Sequence, residues 1–115
     1  MKQNNLLEWT FLFGVDCLQF LRQLPNDSEY RLIRFQLRKS ATSLGANYEE
    51  SQAGSSRAEF KNKVRISLRE ARESNYWLRI IEALENNPNE NLERVLKESA
   101  ELKNIFGAIV NNTKL

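Results

Sequence analysis

The sequence has 115 residues, with 17 Lys and Arg against 15 Asp and Glu, and its formal net charge is +2. This length is typical of one domain, which we predict to span residues 1–115, and the 41% apolar and 28% charged fractions are typical of a folded chain. The absence of His excludes Ser–His and Cys–His nucleophile pairs, an imidazole base and His-ligated zinc. We therefore expect a protein that is not an enzyme, with no catalytic residues, no metal site and no cofactor.

The cysteine content and the hydropathy pattern bear on the compartment. A single cysteine, Cys17, allows no internal disulfide, which fits a reducing environment. No run approaches the roughly 20 apolar residues of a membrane span. Glu8 and Asp16 interrupt the apolar N-terminal segment, which has no secretory cleavage pattern. The expectation is a soluble, cytoplasmic protein with no membrane partner.

Three short breaks, around Pro25, Gly54 and Pro88, divide the chain into four segments. Apolar residues recur in each segment at steps of three and four, and none shows the alternation of a strand. We predict helices over residues from about 5 to 24, 28 to 53, 57 to 85 and 89 to 111. Short connections make successive helices antiparallel, so the predicted fold class is all-α, an antiparallel up-down-up-down four-helix bundle.

Residues typical of a helix start follow each break. Asp27 or Ser28 is expected to cap the second helix, and residues 56–59 form a capping box for the third. Asn87, followed by Pro88, is expected to cap the fourth helix, with the proline in the first helical position.

Two small residues have predicted structural roles. Gly45 lies inside the second helix and indicates either a kink or a close contact with a neighbouring helix. We favour the contact, because the Ser and Ala residues around Gly45 are also small. Cys17 lies between apolar residues and is predicted to be a small core residue.

The third helix has more apolar surface than one bundle-facing stripe requires. At about 100° per residue, a second arc lies apart from the bundle-facing arc and comprises Ile66, Trp77, Ile81 and Leu84. The first helix also carries apolar residues on more than one side. Those on one side are Leu7, Phe11, Leu18 and Leu21, and those that spread toward another are Trp9, Phe13, Phe20 and Leu24. Surplus apolar surface of this kind marks interfaces, so we predict a homo-oligomer that uses the second arc. The alternative is a wide bundle in which these helices are simply well buried.

Basic residues form rows on the second and third helices. The predicted nucleic-acid-binding residues are Arg34, Arg38, Arg57, Lys61, Arg65, Arg69 and Arg72. Guanidinium groups keep their charge and offer forked donors that suit phosphate oxygens, so RNA or DNA is the expected partner of these rows. The alternative is a solvated helix face with ordinary intrahelical ion pairs.

A polar row on the second helix comprises Ser40, Ser43, Asn47 and Glu50, and Glu70, Glu73 and Ser74 lie midway along the third helix. Carboxylates in a pocket could serve acid–base chemistry or hold a metal. The interpretation that we favour is a hydrogen-bond network between helices that fixes their register.

Three segments resemble a known family. Residues 36–50 (QLRKSATSLGANYEE) resemble the Q-L-R-R-A-A-x-S-I-x-A-N-I-x-E signature of the four helix bundle protein family, also called the 23S rRNA-intervening-sequence protein family. Residues 56–60 (SRAEF) resemble its S-x-x-E-F box, and residues 68–78 (LREARESNYWL) resemble its L-x-E-A-x-E-x-x-Y-W-L segment. The resemblance extends from about residue 10 to about residue 110.

The resemblance implies a small bacterial helical bundle, often a ring-shaped homopentamer, in a family whose members are mostly of unknown function. Some members are encoded within insertions in large-subunit rRNA genes. A related branch is the accessory variability protein of diversity-generating retroelements, which works with a reverse transcriptase and its RNA. The expected partners are therefore further copies of the chain, RNA or DNA, and a reverse transcriptase or other nucleic-acid protein. The alternative is an assembly or adaptor protein that binds only proteins.

Overall fold

Four helices account for most of the chain: α1 (Leu6–Leu21), α2 (Ser28–Ser51), α3 (Arg57–Leu84) and α4 (Glu90–Asn112). This computed structural model describes residues 5–54 and 56–113, and these ranges contain no strand. Within them no helix combines the length and the hydropathy that are needed to span a bilayer. The predicted all-α fold class is confirmed.

Local side-chain caps explain where α2 and α3 begin. The Asp27 carboxylate accepts a hydrogen bond from the Tyr30 amide at 2.8 Å, so Asp27 rather than Ser28 caps α2. The Ser56 hydroxyl accepts a hydrogen bond from the Glu59 amide at 3.2 Å, as the capping box predicts. These polar side chains satisfy amides that have no partner inside the helix.

The predicted cap of α4 is wrong. The Asn89 side chain, not that of Asn87, accepts the hydrogen bond from the Leu92 amide, at 3.0 Å. Pro88 therefore precedes the cap instead of occupying the first helical position. Asparagine occurs on both sides of the proline, and the cap forms at the later one, so α4 begins at Glu90.

The end of α1 also differs from the prediction. The helix stops at Leu21, and the next residues form tighter turns in which Leu24 N–H donates to the Leu21 carbonyl oxygen at 3.3 Å. Pro25 disfavours helical geometry for the residue before it, which explains the early end.

Each helix packs closely against two neighbours, whereas the Cα atoms of the diagonal pairs α1/α3 and α2/α4 stay more than 8 Å apart within the described residues. Across the core, the rings of Tyr48 in α2 and Phe106 in α4 still pack edge to face, with their centres 5.4 Å apart. Helices α1 and α4 are joined by a hydrogen bond from Trp9 Nε1 to Glu98 at 3.3 Å and by an ion pair between Arg94 and Asp16 at 3.9 Å. The residue numbers run in opposite directions at these contacts, as expected for antiparallel helices. The core between the four helices contains Cys17, whose burial is confirmed.

Buried hydroxyl groups fix the register of α2 and α3. Ser67 Oγ donates to the Leu44 carbonyl oxygen at 2.9 Å, and Ser74 Oγ donates to Ser40 Oγ at 2.9 Å. The side chains of Ser40, Ser67 and Ser74 are all fully buried. Hydrogen bonds between buried groups tolerate little sliding, so they define which residues of the two helices lie at the same height.

Candidate functional site

The basic residues predicted on α3 form a row along its solvent side, and we call Arg57, Lys61, Arg65, Arg69 and Arg72 the α3 row. Arg65, Arg69 and Arg72 are exposed, whereas Lys61 is half-buried. In the described ranges, no carboxylate lies within ion-pair distance (4.0 Å) of these four side chains. The intrahelical ion pairs of the alternative interpretation are therefore absent from this part of the row.

Arg79 extends the α3 row, and its hydrogen bonds show which edge of the bundle the row borders. It lies seven residues after Arg72, which is almost two full turns, so the two residues share a side of α3. Arg79 Nε donates to Asn75 Oδ1 at 3.0 Å, and Asn75 Nδ2 donates to Ser99 Oγ of α4 at 2.9 Å. The α3 row thus lies near the α3–α4 edge.

Arg34 has a structural role that the sequence analysis missed. Its Nη2 donates hydrogen bonds to the carbonyl oxygens of Leu21, Leu24 and Pro25 at 3.3, 3.0 and 3.3 Å. Leu21 is the last residue of α1, and Leu24 and Pro25 follow it, so the guanidinium lies at the C-terminal end of the helix. The helix dipole is negative there, which favours a cation. No local sequence pattern indicates this contact, because it forms only when α2 folds back against α1.

Arg38 lies close to Arg34 on the same edge of the bundle. Together with Arg22, Leu18 and Leu21, the two arginines line a cavity of about 230 Å³ between α1 and α2. The Arg38 guanidinium also lies 6.0 Å from the centre of the Phe35 ring, a cation–π distance. We call Arg22, Arg34 and Arg38 the α1–α2 arginine cluster.

The structure separates the predicted nucleic-acid-binding residues into two groups. The α1–α2 arginine cluster lies on an edge formed by α1 and α2, and in the described residues the Cα atoms of α1 and α3 stay more than 8 Å apart. The α3 row lies on the opposite edge, beside α4. The sequence analysis treated the arginines of both helices as one set, whereas the structure places them on two different edges of the bundle.

The predicted interface residues also separate. Leu84 is 42% exposed, and Ile66 and Trp77 are half-buried, so all three retain surface that another molecule could cover. Ile81 is completely buried in the core of the single chain, which corrects its assignment to the second arc. It lies seven residues after Ser74, on the stripe of α3 that packs against α2.

A second stripe of α3 borders α2 but remains accessible. Glu70, Trp77 and Leu84 follow one another at steps of seven, and Ser43 Oγ of α2 donates to Glu70 Oε2 at 3.3 Å. Leu32, 56% exposed, lies three turns before Ser43 and so on the same side of α2. We define the α2–α3 face by Leu32, Ile66, Glu70, Glu73, Trp77 and Leu84.

Two carboxylates lie close together on this face. Burial raises the pKa of Glu70 first, and the charge of Glu73 raises it further, whereas the Ser43 hydrogen bond, Arg69 and Lys39 lower it. Glu73 accepts a hydrogen bond from Trp77 Nε1 at 3.3 Å. In the described part of the chain neither carboxylate has a cation within 4.0 Å, and the charges of Arg69 and Lys39 act on Glu70 from farther away.

The largest exposed aromatic surface lies elsewhere, between α1 and α2. Phe11 is 60% exposed, and with Val15, Leu18, Thr42 and Ala46 it lines a groove of about 300 Å³. We call these five residues the α1–α2 face. The sequence showed apolar residues on more than one side of the first helix, but it did not indicate which of them would stay exposed.

The predicted polar row on α2 is divided between structural and exposed positions. Asn47 Nδ2 donates to the carbonyl and hydroxyl oxygens of Ser43 at 2.9 and 3.0 Å, and Ser43 in turn donates to Glu70. Glu50 is exposed. This geometry favours the interhelical hydrogen-bond interpretation for Ser43. In residues 5–54 and 56–113 no group of three or more Cys, Asp or Glu side chains is arranged to hold a metal ion.

Comparisons with known proteins identify the family. No curated protein matches the chain. Among solved structures, it is similar to a protein of unknown function from the S23 ribosomal protein family of Bacteroides thetaiotaomicron, with 31% identity and a TM-score of 0.79, over 90% of this chain and 96% of that one. Residues 2–108 match the family of 23S rRNA-intervening sequence proteins. With the four-helix fold, these matches show that the chain belongs to the 23S rRNA-intervening sequence protein family.

Proposed function

We propose that this protein is a non-enzymatic, cytoplasmic homo-oligomer that binds the phosphate backbone of RNA or DNA through its α3 row. The observation that carries the proposal is the series of exposed guanidinium groups at Arg65, Arg69 and Arg72, none of which is paired with a carboxylate of the described chain. These three residues span about 10 Å of helix. Unpaired, forked donors in a line suit a chain of phosphates better than a single small anion.

Self-association would strengthen such binding. Each further copy adds another α3 row, and the fields of the rows add together. The exposed apolar surface at Phe11 and Leu84 supports association, because a monomer of this size has little reason to expose it. A ring of five copies, as the family resemblance implies, would carry five such rows.

Single-stranded RNA of generic sequence tests the proposal, with fluorescence anisotropy as the readout at several salt concentrations. Affinity should fall steeply with salt. The test variant replaces three row residues by Gln: Arg65, Arg69 and Arg72. The matched control removes three exposed positive charges elsewhere: Arg22, Arg31 and Lys39.

The test variant should weaken binding and reduce the slope of log K against log salt by about 2, since each lost contact with a single strand removes about 0.7. The control variant should retain most of the slope. Salt-independent binding, or no binding at low salt, would contradict the proposal. Equal losses of affinity in the two variants would show that only the net charge of the protein matters. The α3 row would then not be the binding site.

A second candidate function is a protein-binding adaptor with no nucleic-acid contact, which the exposed Phe11 and the groove beside it favour. A reverse transcriptase or other nucleic-acid enzyme is the partner class that the family resemblance implies. Co-purification with such a protein that survives nuclease treatment and is lost in Phe11→Ser would support the adaptor. Loss of the partner on nuclease treatment would favour the nucleic-acid proposal.

A further inference from the structure

We infer that the α3 row takes single-stranded nucleic acid, with one unpaired base stacked on the ring of Tyr76. This assignment rests on the nucleic-acid binding proposed above and names the class of strand that is bound. Three observations support it: the position of Tyr76 within the row, its exposure and the distribution of charge around it.

Tyr76 lies in line with the arginines of the α3 row. The steps are three, four and three residues along the series Arg69, Arg72, Tyr76 and Arg79. Steps of this size keep the four side chains on one side of α3. Arg72 lies about 6 Å of helix rise before Tyr76, and Arg79 lies about 4.5 Å after it. A nucleotide whose base lies on Tyr76 therefore has a guanidinium on each side for the phosphates that flank it.

The ring of Tyr76 is accessible and is supported by its neighbours. Tyr76 is 48% exposed. The half-buried ring of Trp77 packs against it edge to face, with the ring centres 5.2 Å apart. The Arg79 guanidinium lies 5.8 Å from the centre of the Tyr76 ring, and Arg79 Nε is fixed by its hydrogen bond to Asn75 at 3.0 Å. Because these contacts restrict the ring, a base that stacks on it costs little additional side-chain entropy.

The charges around Tyr76 define where a strand can run. Arg79 and Lys97 of α4 line a cavity of about 410 Å³, and the exposed carboxylates of Glu82 and Glu93 line the same cavity. Carboxylates repel phosphates, so this cavity does not continue the binding surface beyond Arg79. Glu73 belongs to the α2–α3 face, where it accepts the hydrogen bond from Trp77 Nε1. The positive path is therefore limited to the α3 row and Arg79, and it includes Tyr76.

Stacking on Tyr76 requires an unpaired strand. The faces of the bases in a duplex are covered by their neighbours, whereas an unpaired base can leave its stack and lie on an aromatic side chain. Every base has a π-face, so such a contact tolerates any sequence. The row alone would bind the phosphates of either form, and the tyrosine gives preference to the single strand.

Three fluorescently labelled probes of equal length test the inference by anisotropy on the full chain: a single-stranded RNA, the same RNA paired with its complement, and an abasic sugar-phosphate strand. Tyr76→Ala should weaken binding of the single-stranded RNA by about 5- to 100-fold, the range that one base–aromatic stack contributes. The slope of log K against log salt should stay unchanged, because no phosphate contact is lost. Binding of the duplex and of the abasic strand should change by less than about twofold, since neither offers an unpaired base to the ring.

Two further variants and one control isolate the aromatic ring. Tyr76→Phe retains the ring and should bind like the wild type, whereas Tyr76→Leu retains an apolar side chain without a planar ring and should lose as much affinity as Tyr76→Ala. Phe35→Ala is the matched control, because Phe35 is 52% exposed and lies 6.0 Å from the Arg38 guanidinium but is outside the α3 row. It should leave the affinity for all three probes within about twofold of the wild type. Circular dichroism confirms that each variant is folded.

The outcomes separate this inference from the proposed function. A wild-type chain that binds none of the probes at low salt would overturn both. Wild-type affinity of Tyr76→Ala for the single-stranded RNA would overturn only the stacking on Tyr76, and a wild-type preference for the duplex would overturn only the class of strand. Equal losses for all three probes would also overturn the stacking, because Tyr76 would then act through the fold or the assembly of the chain.

Discussion

The carbonyl oxygen of Thr10 lies 3.1 Å from the position that a Cβ atom on Gly45 would occupy. That distance is tighter than an ordinary Cβ contact, and the atoms that a side chain would meet belong to the backbone of α1. A side chain at residue 45 would require this backbone to shift by a few tenths of an ångström, so Gly45 permits the close approach of α1 and α2. The close contact predicted from the small residues around Gly45 is therefore confirmed.

Gly45→Ala should lower the free energy of unfolding by about 1–2 kcal/mol, because α1 must shift to admit the methyl group. Gly107→Ala is the matched control, since its Cβ would meet only a Leu68 methyl group at 4.0 Å. That substitution should raise stability by up to about 1 kcal/mol through helix propensity. Urea denaturation measures both effects. Equal stabilisation by the two substitutions would show that the crossing adapts.

Arg34→Gln should destabilise the fold by about 1–2 kcal/mol, because the carbonyl oxygens that end α1 lose a charged donor. Arg31→Gln removes an exposed arginine one turn earlier on α2 and should change stability by less than about 0.5 kcal/mol. Thermal and urea unfolding compare the two variants. Similar stability of both would mean that water replaces the Arg34 hydrogen bonds without loss.

The starts of α2 and α3 could be predicted from sequence because their determinants are local. Asp27 and Ser56 each satisfy an amide three residues later, and a reader of the sequence can find such residues. The Asn87 prediction failed at a position where two asparagines flank Pro88 and either could cap a helix. Local propensity does not distinguish them, because the choice depends on how α4 packs.

The position of Ile81 could not be predicted for a different reason. The stripe of α3 that faces α2 consists of Ser67, Ser74 and Ile81, and two of these three residues are polar. A search for apolar periodicity does not detect a stripe with two serines. It therefore assigns Ile81 to another arc of α3. The serines are buried because they bond to α2, and that information resides in the pairing of the helices.

The separation of the arginines into two groups also arises from tertiary structure. Helical periodicity places Arg38 on one side of α2 and Arg69 on one side of α3, but it does not relate the two sides. Their relation depends on which helices are neighbours around the bundle. Arg38 lies where α2 packs against α1, whereas the row that contains Arg69 lies where α3 packs against α4. The candidate residues could therefore be found from sequence, whereas the surfaces that they form could not.

We expect the protein to lose stability in alkaline solution because of the raised pKa of Tyr30. Burial first, and then the hydrogen bond to Glu85, raise the pKa of Tyr30 to about 12 from its ordinary value of 10. Because the folded-state pKa is the higher one, the stabilising contribution is complete below pH 10. It declines as the pH rises from 10 through 12, where the unfolded chain ionises first.

Tyr30→Phe lacks this titration and provides the comparison. The variant should be less stable than the wild type near pH 8, because the hydrogen bond to Glu85 is lost. The difference between their free energies of unfolding should shrink above pH 10, because only the wild type loses the contribution of Tyr30. Urea unfolding between pH 8 and pH 11.5 measures it. A difference that stays constant over this range would contradict the raised pKa.

The buried amide of Asn75 links α3 to α4, since it donates to Ser99 and accepts from Arg79. Asn75→Ala should cost about 1–3 kcal/mol, through the lost hydrogen bonds and the space left by the side chain. Asn62→Ala, at an exposed position of the same helix, should stay within about 0.5 kcal/mol of the wild type.

If Asn75 and Ser99 act as a pair, N75A/S99A should cost less than the sum of the two single substitutions, with a coupling of about 0.5–1.5 kcal/mol in urea denaturation. Additive costs would instead show that Asn75 stabilises the bundle by filling space rather than by bonding to α4.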